Sequence, residues 1–348
     1  MVAESHLRRE ILEQPAVLER LVRSQRRAAE ELARAMKARD VTHVVIAARG
    51  TSDNAGRYAQ YVLGGKNGLV VALATPSLFT VYRQPPRFRN ALVLGISQSG
   101  KSPDLSAVLA EARRQGSLTG VMTNAPHSDL AGLGDVVLDL GAGDERAVAA
   151  TKTYTAELAA VALLSATLAE DREMHEALEG APLALARALD TEPAAVEAAA
   201  RLRDIRYAAV IGRGFNYATA FELALKLKEL SYTSTEPYSS ADFLHGPLAM
   251  VEKGFPAIVL AASGALLADM QAILKVLRQR RALVLCIGDD RETAEMAGAS
   301  LTIPCLVPEW LSPLPLIVPG QLLAMHLAAG RGYDVDSPRS IHKVTQTF

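Results

Sequence analysis

The sequence has little cysteine, few aromatic side chains and no excess of either charge. Among 348 residues there are two cysteines, Cys286 and Cys305, one tryptophan, and 5% aromatics in all. Two thiols cannot build a disulfide framework or a four-cysteine zinc site, and such sparing use fits a reducing cytoplasm. Lys and Arg number 37 against 38 Asp and Glu, so the chain carries no global electrostatic footprint for nucleic acid or an anionic membrane. Any anion has to be met locally. The longest uncharged apolar stretch read as helical, Leu158 to Ala169, falls short of the ~20 residues that span a bilayer, and the first residues carry charges where a signal peptide needs apolar ones. What is present, 49% hydrophobic and 22% charged residues, is a globular composition long enough for two domains, expected in the cytoplasm.

Helical and strand patterns alternate along most of the chain, which reads as an α/β protein with a parallel sheet covered by helices. Leu18, Leu21, Val22, Ala29, Leu32 and Met36 put apolar groups on one face of an opening helix. Strand candidates follow at Val44–Ala47, Leu69–Leu73, Leu92–Ile96, Leu118–Met122 and Val136–Leu138, and a second series at Ala208–Ile211, Ala257–Leu260, Ala282–Cys286 and Leu301–Ile303. The series are related by a nearly constant offset: 164 residues separate Arg49-Gly50 from Arg213-Gly214, and Met122 from Cys286. Two copies of one fold are the simplest reading. The expected divisions are an N-terminal helical segment (1–40), a first domain (41–185), a second domain (195–331) and an irregular tail (332–348).

Gly95-Ile96-Ser97-Gln98-Ser99-Gly100-Lys101-Ser102 fits the P-loop pattern G-x-x-x-x-G-K-S and follows an apolar strand, with Val136–Asp139 as a possible Walker B strand. A P-loop normally follows the first strand of a domain, whereas this segment follows the third. Ser97, Gln98, Ser99 and Ser102 also crowd the turn with neutral donors suited to a single phosphomonoester. Pro103 after Ser102 as N-cap aims a helix start at the same spot. Nucleotide, sugar phosphate and a ligand-free capped turn all remain open from this segment alone.

Asn216 to Leu230 reads as a helix apolar over most of its circumference and therefore buried, with Glu222, Lys226 and Glu229 within about 60° of each other as one polar stripe. On an exposed helix this is an ordinary salt bridge worth ~0.3–0.5 kcal/mol. On a buried one the carboxylates must face a cavity or pair, and the neighbouring lysine suits them to proton transfer. His245-Gly246-Pro247 follows on an irregular segment after Tyr238–Ala241. A lone histidine is more often structural than catalytic, but it titrates near neutrality and the Gly-Pro turn could fix its direction. Lys343, taken by itself, is a solvated charge in the tail.

The ordered motifs resemble the sugar isomerase (SIS) family, closest to the isomerase half of glucosamine-6-phosphate synthase and to SIS-type glucosamine-6-phosphate deaminases. They run nearly end to end: Glu10–Pro15, Arg49-Gly50-Thr51-Ser52, Ile96–Gly100, Glu145-x-x-Val148-Ala149-x-Thr151-Lys152, Glu222-x-x-Ala-Leu-Lys226-Leu-Lys-Glu229, His245–Ala249 and Asp334-Val335-Asp336-x-Pro338-Arg339. The resemblance implies two tandem flavodoxin-like SIS domains and a substrate site from Ser52, Ser97, Gln98, Ser99, Ser102 and Val148. It also implies Glu229 as the base moving a proton between C1 and C2, with Lys226 and Glu222 in support. His245 would open the sugar ring from the partner subunit of a homodimer, and Lys343 would engage the open-chain carbonyl. These roles suit the chemistry, since ring opening needs an acid/base near neutrality and an amine can form a Schiff base with a ketose. Lys101 stands where the family has an acidic residue, Ala150 where it has a serine, and Phe348 where the synthase has Glu.

The synthase's glutaminase domain, with its N-terminal cysteine, is absent from the resemblance. The expectation is therefore deamination of glucosamine 6-phosphate to fructose 6-phosphate and ammonia, with no metal, cofactor, nucleic acid or membrane involved. Rival readings are ammonia-dependent synthesis by the same isomerase, deglycation of a sugar-amine phosphate, and a non-catalytic sugar-phosphate sensor.

Overall fold

The computed structural model describes residues 2–343. Each described strand belongs to one of two all-parallel five-stranded sheets. β1 (His43–Ala47), β2 (Val70–Leu73), β3 (Ala91–Ser97), β4 (Leu118–Thr123) and β5 (Val136–Asp139) lie in the order β2-β1-β3-β4-β5. β6 (Tyr207–Gly212), β7 (Ser234–Ser239), β8 (Pro256–Ala261), β9 (Leu283–Gly288) and β10 (Ser300–Thr302) repeat that order as β7-β6-β8-β9-β10. Every strand of the second sheet starts 164 or 165 residues after its counterpart. The order is the flavodoxin-like one, and both domains have it. β3, β4 and β8 are buried at every residue, as continuous apolar runs must be when helices cover both faces of a parallel sheet.

Thirteen helices accompany the strands among the described residues: α1 (His6–Ser24), α2 (Arg26–Ala38), α3 (Thr51–Asn67), α4 (Ser77–Thr80), α5 (Pro103–Arg114), α6 (Lys152–Ala169), α7 (Arg172–Leu189), α8 (Glu192–Arg201), α9 (Phe215–Ser231), α10 (Ser240–Leu244), α11 (Leu267–Gln279), α12 (Arg291–Ala297) and α13 (Pro313–Gly330). The single opening helix expected from the apolar periodicity is in fact two, broken at Gln25, and the first begins at His6.

Two further expectations need correction. The segment before His245 is not irregular: it comprises β7 and the short α10. Nor is Leu158–Ala169 the longest apolar stretch. Glu309–Gly330 has 22 residues, passes by length and composition as a span, and is 94% buried inside the protein over its apolar window. From Pro313 on it is the core helix α13, packed against α8 and α9. A helix apolar all round belongs in the core of a large protein or in a membrane, and here its surroundings are protein.

The described chain forms two compact units. One contains residues up to Pro15, Arg146–Thr151 and Gly180–Ile341, and so carries β6–β10. The other contains Ala16–Glu145, Lys152–Glu179 and the residues from His342, and carries β1–β5. Within the first, Asp336 receives the N–H groups of His6 and Leu7 at 2.9 and 2.8 Å, capping α1. Glu10 accepts the Arg146 N–H at 2.5 Å. These bonds give the Glu10 and Asp336 motifs a structural role.

Candidate active site

In each sheet the strands on either side of the first one, β2 and β3 or β7 and β8, send the chain in opposite directions. The crevice outside the carboxyl ends there is the usual ligand position of an open α/β sheet. In the β1–β5 unit this crevice receives two turns. After β1, Gly50 at φ +54° turns the chain directly into α3, a left-handed conformation that glycine adopts without steric cost. Ser52 sits in the first turn of α3, buried, and donates its hydroxyl to Glu157 Oε1 at 2.6 Å.

After β3 comes the Ser97–Ser102 turn. Ser97 Oγ accepts the Gly100 N–H at 3.1 Å, and Ser99 Oγ accepts the Lys101 N–H at 3.3 Å. Gly100 has φ +62°, and a Cβ on it would lie 2.0 Å from Ser128 Oγ, so the turn closes only with glycine. Ser102 is the N-cap of α5 and Pro103 its first residue, as expected, but the Ser102 side chain makes no capping hydrogen bond. In the first turn of α5 the Leu105 N–H is accepted by Asp104 Oδ1 at 2.9 Å. Arg49 Nε contacts Asp104 Oδ2 at 2.8 Å and ties the turn after β1 to the first turn of α5. Burial pushes the neighbouring Asp53 carboxyl up, with Arg57 and Arg49 pulling it back. Lys101, the residue that completes the P-loop pattern, is exposed.

The duplicated turn in the β6–β10 unit keeps the scaffold and loses the vacancy for an anion. Gly214 has φ +60°, and Arg213 pairs with Asp269 as Arg49 pairs with Asp104. After β8, however, the Ala265 N–H is taken by Glu309 Oε2 at 2.8 Å and the Ser263 N–H by Asp289 Oδ1 at 2.6 Å. A phosphate there would meet two carboxylates. In the β1–β5 copy the corresponding loop N–H groups of Gly100 and Lys101 are accepted by the neutral Ser97 and Ser99 hydroxyls.

Sequence reasoning quoted Glu145 in a motif but gave it no role, and it missed Glu157. Glu145 is nearly inaccessible, its side chain 1% exposed. Its Oε1 accepts the Thr153 N–H at 3.2 Å, and its Oε2 accepts hydrogen bonds from the Thr153 hydroxyl at 2.9 Å and from the Gln98 Nε2 amide. Lys343 Nζ lies 3.0 Å from the same Oε2, so the tail lysine is ion-paired and not a solvated charge.

In the β6–β10 unit, α9 follows β6 and buries Glu222, Leu223, Ala224, Lys226, Leu227 and Leu230. The expected stripe forms as one linked set. Lys226 Nζ lies 2.5 Å from Glu229 Oε2 and 3.4 Å from Glu222 Oε1. Glu222 and Lys226 have side-chain exposures of 0% and 1%, whereas Glu229 retains 24%. Glu229 is thus the member of the set open to solvent. His245 ends α10, donates its N–H to the Asp242 carbonyl at 3.1 Å, and is exposed. Val148, half-buried, donates its N–H to the Asp336 carbonyl at 3.1 Å. Ala150 is buried; Phe348 lies outside the described residues. Among the described residues no cluster of three His, Cys, Asp or Glu could hold a metal ion.

Residues 37–166 and 201–327 each match the SIS domain. The chain belongs to the SIS family. It is a double-SIS protein. It is 36% identical to glutamine–fructose-6-phosphate aminotransferase [isomerizing] of Zymomonas mobilis, over 97% of this chain and 58% of that protein. The chain spans little more than half the length of such curated relatives. The C-terminal domain of glucosamine-fructose-6-phosphate aminotransferase from Francisella tularensis superposes with a TM-score of 0.88 at 28% identity, covering 96% of this chain and 98% of that one. A Silicibacter pomeroyi chain, provisionally described as a phosphosugar isomerase, gives 0.86 at 35% identity, covering 95% and 100%.

Proposed function

We propose that this SIS protein catalyses the isomerase reaction of the glucosamine-6-phosphate synthase type, interconverting fructose 6-phosphate plus ammonia with glucosamine 6-phosphate plus water. The observation that carries the reading is the α9 set, in which a buried lysine links a buried carboxylate to Glu229, the one of the two carboxylates with access to solvent. The identity to chains named as aminotransferases favours this reaction over unrelated sugar-phosphate isomerisations.

In the proposed sequence the Ser52 and Ser97–Ser102 turns hold the 6-phosphate, His245 of a partner subunit opens the ring, and Lys343 engages the open-chain carbonyl. Ammonia condenses with the C2 ketone, water leaves, and Glu229 takes a proton from C1 of the imine and returns it to C2. The product carries an amine at C2 and an aldehyde at C1. Read backwards the same steps deaminate glucosamine 6-phosphate, with water hydrolysing the ketimine. Lys226 offsets the charge of both carboxylates while the proton moves.

The test offers purified chain fructose 6-phosphate with ammonium, and separately glucosamine 6-phosphate, and follows both sugars and ammonia. Interconversion supports the reading, and ammonia release from glucosamine 6-phosphate, with ammonium left unconsumed beside fructose 6-phosphate, identifies deamination as the working direction. Absence of any interconversion, with activity instead on glycated-amine phosphates, would overturn it in favour of deglycation.

A further inference from the structure

The Glu145 carboxylate joins two residues that the proposed reaction uses at opposite ends of its substrate. Gln98 belongs to the phosphate turn, and Lys343 is the tail amine assigned to the sugar carbonyl. Both donate to one atom, Glu145 Oε2, which also accepts the Thr153 hydroxyl at 2.9 Å. Glu145 itself cannot move freely. Its other oxygen accepts the Thr153 N–H at 3.2 Å near the start of α6, where the helix dipole favours a negative charge. With 1% side-chain exposure it has no water to fall back on. A buried carboxylate is stabilised only by its donors, so withdrawing one strengthens its hold on the rest.

We propose that Glu145 is a positioning residue that couples the seating of the substrate phosphate to the placement of the Lys343 ammonium. A phosphate that draws the Gln98 N–H into the Ser97–Ser102 turn removes one donor from Oε2 and leaves Lys343 its principal cationic partner. The amine is then held in one orientation when the sugar is present, and is less constrained when it is absent. Holding a reacting group in one geometry is a recognised source of rate. The inference rests on the proposed function, because it takes the phosphate turn and Lys343 to serve one substrate.

The coupling can be read without turnover, by mapping the acetylation rate of Lys343 by mass spectrometry with and without glucose 6-phosphate, a non-aminated probe. In the wild type the probe should slow Lys343 acetylation. Glu145→Gln, which keeps the shape and removes the charge, should raise the basal rate by about tenfold, the value of a lost charge-assisted hydrogen bond, and abolish the response to the probe. Gln98→Leu, which removes the amide donor from Oε2 and leaves the Glu145–Lys343 pair in place, should slow Lys343 acetylation without the probe to about the wild-type rate with it and abolish the response, so the inference does not depend on Glu145→Gln folding. A thermal shift with the probe, accompanied by Lys343 acetylation indifferent to the probe in the wild type, overturns the coupling and leaves the functional reading standing. No thermal shift with any hexose 6-phosphate overturns both.

Discussion

Removal of the Lys226 ammonium is the perturbation whose size the structure fixes best. Lys226→Met keeps the length and apolar character of the side chain but strips the cation from between two carboxylates. Glu229, 24% exposed, can recover some hydration, whereas Glu222, fully buried, cannot. Most of the cost therefore falls on Glu222, as a buried charge that has lost its cation, and breaking such a pair costs about 3–5 kcal/mol. By contrast, truncating Arg291, whose pair with Glu295 is 91% and 67% exposed, should change stability by no more than ~0.5 kcal/mol. The double variant Lys226→Met/Glu222→Leu removes both buried charges and should return to within about 1 kcal/mol of wild type, since replacing a whole buried pair by apolar groups is often neutral. Urea denaturation followed by circular dichroism measures all three, with each transition fitted separately because the chain has two compact units. If Lys226→Met loses less than about 1 kcal/mol, or if the double variant is as damaged as the single, the ammonium does not neutralise a buried carboxylate and the reasoning about α9 fails.

Three further outcomes follow. Glu229→Gln should lower turnover by at least about 10²-fold while the thermal shift with hexose 6-phosphates survives, and an active variant would remove Glu229 from the proton transfer. Gly100→Ala places a Cβ 2.0 Å from Ser128 Oγ at φ +62°, so it should cost about 1–3 kcal/mol and weaken hexose-phosphate binding; unchanged binding by calorimetry would separate the turn from the phosphate. Burial, with Arg26 adding to it, holds the His175 imidazole below its ordinary 6.5. The unfolded chain then takes up the proton first, so this contribution is complete above about pH 6.5 and is lost as pH falls through the depressed folded value. His175→Gln should flatten the change in Tm between about pH 8 and pH 5, and an unaltered slope counts against that assignment.

The sequence made the architecture legible where strands are buried on both faces. β3, β4, β8 and β9 appear as apolar runs because helices cover them on each side. β7 was missed because it is an edge strand: Ser234-Thr235-Glu236-Pro237-Tyr238-Ser239 has no apolar run, and proline is tolerated where a strand needs no second neighbour. The repeat held the missing signal, since the 164-residue offset carries Val70, the start of β2, onto Ser234. α13 was obscured by Pro313, Pro315 and Pro319, which read as breakers although the first lies at the start of the helix, where proline is at home. In the site, the Glu222–Lys226–Glu229 stripe was legible because its spacing is helical and local. Glu157 and Glu145 were not, because their partners Ser52 and Gln98 lie 105 and 47 residues away and meet them only after the sheet is ordered. The serines of Ser97–Ser102 set the first copy of the turn apart from Ala262-Ser263-Gly264-Ala265 locally, but the carboxylate that occupies the second copy was not legible, because Glu309 reaches Ala265 across 44 residues.

The central claim is that Glu229 moves a proton between C1 and C2 of an amino-sugar phosphate, and the fate of a label at C2 tests it most directly. Glucosamine 6-phosphate deuterated at C2, incubated with wild-type protein, should give fructose 6-phosphate in which the deuterium has left C2 and is found at C1 or in water by NMR. Glu229→Gln should leave the label where it was. Ammonia released together with a hexose phosphate that still carries deuterium at C2, or the same label transfer by Glu229→Gln, would contradict the account.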